Sequence, residues 1–193
     1  MLDPRGDEPP DELRAAREVD ELVLAAAAGD ARSGRRRAAH TRVLVLGSLP
    51  GEVSLAQSQY YAHKQNRFWH LMGDVLGIDL VELDYPARLQ ALLRHGVGLW
   101  DVVAEARRDG SLDSNIRDHA GNDLLGLIGT LPSLRAIAFN GGTAAKIGEK
   151  ALGALGAHGD RHAILRLPSS SPAYTLAYAE KRVAWQALRA WLD

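Results

Sequence analysis

The chain has 193 residues, of which 46% are hydrophobic and 24% are charged, and its formal net charge is −1. This length suits one domain with a substantial core, and the composition is ordinary for a globular protein. The sequence contains no cysteine, which excludes disulfides, a thiolate nucleophile and cysteine-ligated metal or iron–sulfur sites. Proteins that coat nucleic acid usually carry a large positive excess, so any contact with DNA should be small and local.

No apolar run reaches membrane-spanning length, and the N-terminus lacks a basic-then-apolar export pattern. We therefore expect a cytoplasmic protein without a membrane partner, and we expect it to act as a monomer.

Residues 1–40 differ from the rest and form a predicted N-terminal extension before a domain over residues 41–193. Residues 1–10 are rich in Asp, Glu and Pro, which predicts disorder, and residues 11–28 have the pattern of an amphipathic helix. The run at Arg35, Arg36 and Arg37 is either a solvated linker or an arm that contacts phosphates.

From residue 42 onward the pattern alternates between strands and helices. Apolar runs predict strands over residues 42–46, 97–100, 135–139 and 162–167. Helices are predicted over residues 66–76, 86–95, 124–130, 142–152 and 174–192. The candidates for the buried face of the last helix are Leu176, Val183, Trp185, Leu188 and Trp191. This order predicts an α/β fold in three α/β/α layers around a four-stranded parallel sheet. Any site should then lie beyond the carboxyl ends of the strands.

Unusual residues follow all four predicted strands. The segments are GSLPG at residues 47–51 with QYYAHKQNRFW at 59–69, LWD at 99–101, FNG at 139–141 and LPSSSPA at 167–173. Together they resemble the motifs of the uracil-DNA glycosylase superfamily, and most of all its deoxyinosine branch. The resemblance covers residues 42–193. It implies a monofunctional DNA glycosylase that excises hypoxanthine, with uracil as a further candidate, from DNA carrying a deaminated base and without metal or cofactor.

Leu49 departs from much of that superfamily, whose other branches carry aspartate, asparagine or glutamate at this position. Leucine can neither activate nor orient water. The deoxyinosine branch shares an apolar residue here, and the resemblance assigns catalysis to Asn66 and Asn140 instead. From the sequence alone, Asn66 is also suited to cap the following helix, and Asn140 is also suited to form a turn.

Base recognition is expected at the first two strand ends. The resemblance implies that Tyr61 stacks on the flipped base, although core packing is the alternative, and core packing is favoured for Tyr60. Asp101 is placed to accept from the N1–H of hypoxanthine, or else to cap a helix or form a salt bridge. The turn residues Gly47, Ser48 and Leu49 complete the predicted base-binding set.

DNA contacts are expected from the proline–serine loop and from His63. Pro168, Ser169, Ser170 and Ser171 resemble the superfamily motif that enters the minor groove, and the alternative is an ordinary loop before a helix. This loop offers only serine, proline and alanine where the classical uracil enzymes have a leucine wedge. The wedge should therefore be weak, which favours unpaired, mispaired or single-stranded targets that cost less to flip.

Three alternative functions are compatible with these sequence features. One is a uracil or mismatch-specific glycosylase. Another is a catalytically silent reader of flipped or abasic nucleotides, which Leu49 and the near-neutral charge would suit. The third, a hydrolase of free nucleosides, leaves the proline–serine loop without a task.

Overall fold

The computed structural model describes residues 40–107, 117–153 and 161–193. The expected disorder and helix within residues 1–28, and the arginine run at residues 35–37, lie outside the described residues. The strands are β1 (Val43–Gly47), β2 (Val97–Asp101), β3 (Val103–Arg107), β4 (Arg117–Gly121), β5 (Ala136–Asn140) and β6 (Ala163–Leu167). The α-helices are α1 (Glu52–Gln57), α2 (Phe68–Leu76), α3 (Tyr85–Arg94), α4 (Leu124–Gly129), α5 (Gly142–Gly153) and α6 (Tyr178–Trp185), which continues as a 3₁₀ helix (Gln186–Trp191).

Four strands form a parallel sheet in the order β2-β1-β5-β6. Strand β1 is central and wholly buried because both of its faces are covered. Val43 and Val45 pack on one face with α2, α3 and the C-terminal helices, whereas Leu44 and Leu46 pack on the other with α4 and α5. The predicted three-layer architecture and the four predicted strands are therefore confirmed.

One helix and one pair of strands were not predicted. Helix α1 lies between the glycine–proline turn and the tyrosine pair, and β3 and β4 form a separate antiparallel pair with register shifts. The backbone of residues 102 and 103 joins this pair to the main sheet, because their N–H groups donate to the carbonyls of Gly47 and Ser48 at 2.9 and 3.1 Å.

The last helix begins at Tyr178 rather than at residue 174, and the prediction that Val183 is buried was wrong. Lys181, Trp185 and Leu188 are buried, whereas Val183 is 73% exposed. The spacing of the buried residues follows the helical period, which places Val183 on the opposite face. In the described part of the chain, no helix is both long and apolar enough to cross a membrane.

Gly148 allows α5 to pack closely on the sheet. A Cβ atom at this position would lie 2.2 Å from Cε1 of the buried Phe139 ring. Two groups in a close-packed core cannot occupy this space, so the helix or the ring would have to move.

We expect Gly148→Ala to lower the free energy of unfolding by about 1–3 kcal/mol, the usual cost of an overpacked core. Gly153→Ala in the same helix is the matched control, since no atom of the described residues lies within 4 Å of a Cβ atom there. Urea denaturation of both variants measures the difference. Equal stability of the two variants would contradict the packing argument.

Candidate active site

A cleft of about 910 Å³ opens at the carboxyl ends of the four parallel strands. It is lined by the ends of β1, β2 and β5, by the loop after β6, and by the first turns of α5. Eleven of the twelve predicted site residues line it, and these are Gly47, Ser48, Leu49, Tyr61, His63, Asn66, Asp101, Asn140, Ser169, Ser170 and Ser171. The parallel sheet thus brings together segments that are far apart in the sequence.

Gly47 and Asp101 are paired neighbours at the ends of β1 and β2. A Cβ atom on Gly47 would lie 2.3 Å from Oδ1 of Asp101 and 3.0 Å from the hydroxyl oxygen of Tyr61. Glycine is therefore required at this point, because it leaves room for a carboxylate and a phenol beside the strand. Asp101 is only 2% exposed, so its carboxylate lies on the floor of the cleft.

The charge of Asp101 also acts on Tyr85, which lies behind the cleft wall. Burial raises the pKa of the Tyr85 phenol, the hydrogen bond from the Tyr60 N–H lowers it, and the negative charge of Asp101 raises it. Tyr85 is therefore neutral at physiological pH and supports the buried Tyr60 by accepting at 3.0 Å.

Tyr61 combines core packing with exposure to the cleft. Its ring stacks on Phe68 with 3.9 Å between centroids and 15° between planes, and the side chain is half-buried. Its φ of 55° lies in the left-handed region, which is uncommon for a residue with a bulky side chain. Such backbone strain is often found at functional sites.

Asn66 is held at the start of α2. Its Oδ1 accepts from the N–H of Phe68 at 2.9 Å, and its own N–H donates to the carbonyl of His63 at 2.8 Å. Arg67, and not Asn66, is the N-cap of the helix, and Asn66 instead closes a turn one residue earlier and also lines the cleft. A carbonyl oxygen has two lone pairs, so this contact leaves one of them for a water molecule.

Asn140 forms a closed pair with Ser170. Nδ2 of Asn140 donates to Oγ of Ser170 at 2.9 Å, and the N–H of Ser170 donates to Oδ1 of Asn140 at 2.9 Å. The carbonyl of Ser170 accepts from the N–H of Arg67 at 3.0 Å. Ser170 is 1% exposed, and its hydroxyl oxygen faces the Asn140 amide.

The other residues of the proline–serine loop differ in their access to the cleft. Ser169 and Ser171 are half-buried and line it, with Oγ of Ser169 accepting from the N–H of Ser171 at 3.2 Å. Pro168 is the one predicted site residue outside the cleft lining, and its carbonyl accepts from Nε1 of Trp185 at 3.0 Å. His63 is exposed, and its Nδ1 accepts from the N–H of Gln65 at 3.2 Å.

Leu49 has an apolar side chain and lies in apolar surroundings. It is half-buried, lines the cleft and packs against the apolar cluster under α4 and α5. The side chain of Leu49 therefore offers no group that could activate water.

Helix α5 contributes a part of the site that the sequence analysis missed. Thr143, Lys146 and Ile147 line the cleft, and their spacing places them on one face of the helix. The first N–H groups of a helix lack intrahelical partners and carry partial positive charge, which favours an anion nearby. The sequence could have indicated this contribution, because the predicted helix begins at residue 142, two residues after Asn140. Among the described residues no cluster of three potential metal ligands occurs.

The whole of this domain matches the family model of the uracil DNA glycosylase superfamily, over residues 35–193. The chain belongs to this superfamily. It is 38% identical over 149 residues to a hypoxanthine DNA glycosylase from Methanosarcina acetivorans, covering 77% of this chain and 90% of that protein. It is 44% identical over 102 residues to one from Methanosarcina barkeri, covering 53% of this chain and 65% of that protein.

A solved structure agrees with these relatives. The solution NMR structure of a candidate uracil DNA glycosylase from M. acetivorans superposes with a TM-score of 0.69 at 36% identity. The superposition covers 80% of this chain and 93% of the other. The superfamily match makes this chain a DNA glycosylase, which acts on the N-glycosidic bond of a nucleotide.

The Asn140–Ser170 pair gives a test of the arrangement of the site. Asn140→Ala leaves the Ser170 N–H buried without an acceptor, and Ser170→Ala leaves the Asn140 amide without one of its partners. Each variant should lose about 1–3 kcal/mol of unfolding free energy, whereas the double variant should lose less than the sum. Thermal or urea unfolding of all four proteins gives the coupling. Additive losses would show that the two side chains act independently.

Proposed function

We propose that this glycosylase is monofunctional and releases hypoxanthine from deoxyinosine in DNA, leaving an abasic site. The observation that carries the proposal is the buried carboxylate of Asp101 on the floor of the cleft. Hypoxanthine presents an N1–H donor, and a carboxylate is a strong acceptor for such a group. The names of the two Methanosarcina relatives support the same substrate.

In the proposed reaction, the bond between the sugar carbon C1′ and N9 of hypoxanthine breaks and the bonding electrons leave with the base. An oxygen from water bonds to C1′, the water loses a proton to solvent, and the departing base gains one. The sugar passes through an oxocarbenium-like state, so catalysis needs an oriented water and donors aimed at the base.

We assign the water to Asn66 and the base to Asn140. Oδ1 of Asn66 accepts one N–H from the start of α2 and can accept an O–H of water with its other lone pair. Nδ2 of Asn140 uses one N–H for Ser170, which leaves a second N–H for the base. The N-terminus of α5, at the same edge of the cleft, favours the negative charge that develops there.

The flipped base lies between Tyr61 and the turn at Gly47, Ser48 and Leu49 in this proposal. Tyr61 keeps one face on Phe68, which fixes the ring against which the base stacks. Ser169, Ser171 and His63 are proposed to contact the DNA backbone, whereas Ser170 acts by holding Asn140. No metal or cofactor takes part, and we propose that the protein acts as a monomer in the cytoplasm.

A panel of oligonucleotides, each with one hypoxanthine, uracil or xanthine, tests the substrate. We expect hypoxanthine release in single turnover to be fastest and to be unchanged by a metal chelator. Asn66→Ala should lower that rate by about 10²-fold or more, as expected for one preorganised group. Free deoxyinosine is the control and should not be cleaved.

The panel also separates the alternatives. A uracil glycosylase, which the description of the structural neighbour favours, would release uracil faster than hypoxanthine. A silent reader would bind an abasic analogue and release no base. Loss of activity with a chelator would contradict the metal-free proposal. If Asn66→Ala lost stability and kept its rate, Asn66 would have only a structural role in the turn before α2.

Asp101 determines specificity in this proposal, so its variants should change the ratio of the two bases. Asp101→Asn still offers an acceptor but without charge, and Asp101→Ala offers none, at a cost of about 1–3 kcal/mol for the unpaired N1–H. Hypoxanthine release should therefore fall in the order Asp, Asn, Ala. The ratio of hypoxanthine to uracil release in the same sequence context is the measurement. An unchanged ratio and unchanged rates in Asp101→Ala would make Asp101 a structural residue.

A further inference from the structure

The rim of the cleft continues past the serines into a turn over residues 171–174, which we call the rim turn. The N–H of Tyr174 donates to the carbonyl of Ser171 at 3.2 Å, and the N–H of Ala173 donates to Oγ of Ser171 at 3.2 Å. Both oxygens of Ser171 therefore close the turn. Its last residue, Tyr174, lines the cleft with 49% of its surface exposed.

Lys181 binds both ends of the rim turn from below. Its Nζ donates to the carbonyl of Tyr174 at 2.7 Å and to the carbonyl of Ser171 at 3.2 Å. The same ammonium lies 5.4 Å from the centroid of the Tyr174 ring, within the range of a cation–π contact. One side chain from α6 thus fixes the backbone of the turn and also contacts the ring at its end.

The burial of the Lys181 ammonium costs desolvation free energy, which its contacts must offset. The residue is 3% exposed, and lysine is almost never fully buried unless it is paired. Within the described residues, no carboxylate forms an ion pair with it. Burial lowers the pKa of Lys181, and the positive charge of Arg67 lowers it further. The ammonium is held by two backbone carbonyls and an aromatic face, and these contacts fix the rim turn.

The Tyr174 ring is large, exposed and held at the mouth of a cleft that takes a nucleotide. The proline–serine loop over residues 168–173 itself offers only serine, proline and alanine as candidate contacts with DNA, and the aromatic ring of Tyr174 lies one residue beyond it. Every nucleobase has a π face, so an aromatic side chain can bind a base without reading its identity.

We propose that Tyr174 stacks on the nucleobase next to the excised nucleotide, and that Lys181 is the positioning residue that holds the ring. The inference rests on the proposed function, because it requires a DNA strand across the cleft. It assigns to the rim turn a contact with the neighbouring nucleotide, separate from the base-binding floor at Asp101.

The test uses a single-stranded oligonucleotide with a stable abasic analogue and the fluorescent base 2-aminopurine beside it. Two probes place the fluorescent base on either side of the abasic analogue. We expect the wild-type protein to quench one of them on binding, since stacking quenches 2-aminopurine. Tyr174→Ala should remove the quenching and weaken binding about 10-fold, the low end for loss of one stacked base. Tyr174→Phe retains the ring and should behave like wild type.

Tyr178 supplies the matched control, because it is also an exposed tyrosine but lies outside the cleft lining. Its hydroxyl donates to Oδ2 of Asp74 at 2.6 Å, so Tyr178→Ala removes a ring and a surface contact without touching the rim turn. Quenching and affinity should stay at wild-type values in this variant. Quenching that persists in Tyr174→Ala, or that is lost equally in Tyr174→Phe, would overturn the inference.

Lys181→Met tests the positioning role, since it keeps the aliphatic length and removes the ammonium. We expect weaker quenching than wild type in a folded protein, with recovery in Lys181→Arg. Wild-type quenching in a folded Lys181→Met protein would remove Lys181 from the proposal. If Lys181→Met does not fold, the Tyr174 variants still decide whether the ring stacks.

Release of hypoxanthine is measured on a matched oligonucleotide that carries deoxyinosine in place of the abasic analogue. A protein that quenches the probe through Tyr174 but releases no base would contradict the proposed function and keep the stacking inference. If the protein releases hypoxanthine while Tyr174→Ala quenches the probe like wild type, the proposed function is kept and the stacking inference is contradicted.

Discussion

The reciprocal hydrogen bonds between Asn140 and Ser170 are the contact on which the geometry of the cleft depends. Through them the end of β5 is joined to the proline–serine loop, and the carbonyl of Ser170 joins that loop to the start of α2 through Arg67. Three segments that carry proposed catalytic or DNA-binding residues are therefore fixed by one buried serine. An amide held at both ends cannot turn its nitrogen and oxygen around, so the donor proposed for the base is already oriented before DNA binds.

Catalysis at this site has to proceed without a carboxylate at position 49. Leu49 packs into the apolar cluster and Asn66 is partly committed to the start of α2, so neither can accept a proton from water. In the proposed mechanism, most of the lowering of the barrier then comes from stabilising the departing base. Donors from Asn140 and the N-terminus of α5 suit that task, and the arrangement favours bases that leave readily.

The sequence predicted the sheet well because its strands are apolar runs buried between two layers. Observed strand bounds lie within one residue of the predicted ones, and the strand ends correctly located the cleft. The roles of individual serines were harder to predict from the sequence. A serine in a loop looks the same in sequence whether its hydroxyl faces solvent or, like that of Ser170, a buried amide. The β3–β4 pair was missed because its pairing is irregular and its strands do not form apolar runs. The contact between Lys181 and Tyr174 could not be predicted, because it depends on the turn over residues 171–174, which leaves no periodic pattern in the sequence.

In the proposed function, specificity and rate make opposite demands on Asp101. A carboxylate that accepts the N1–H of hypoxanthine selects the base, but its negative charge also opposes the negative charge that grows on the base as the glycosidic bond breaks. The cost is larger because Asp101 is buried on the cleft floor, where water screens poorly. Positive potential must therefore act close to the base. The chain has a net charge of −1, so we expect groups close to the base, and not a broadly basic surface, to supply it. Asn140, Lys146 and the first N–H groups of α5 lie in the same cleft and are suited to offset the charge of Asp101 in the proposed reaction.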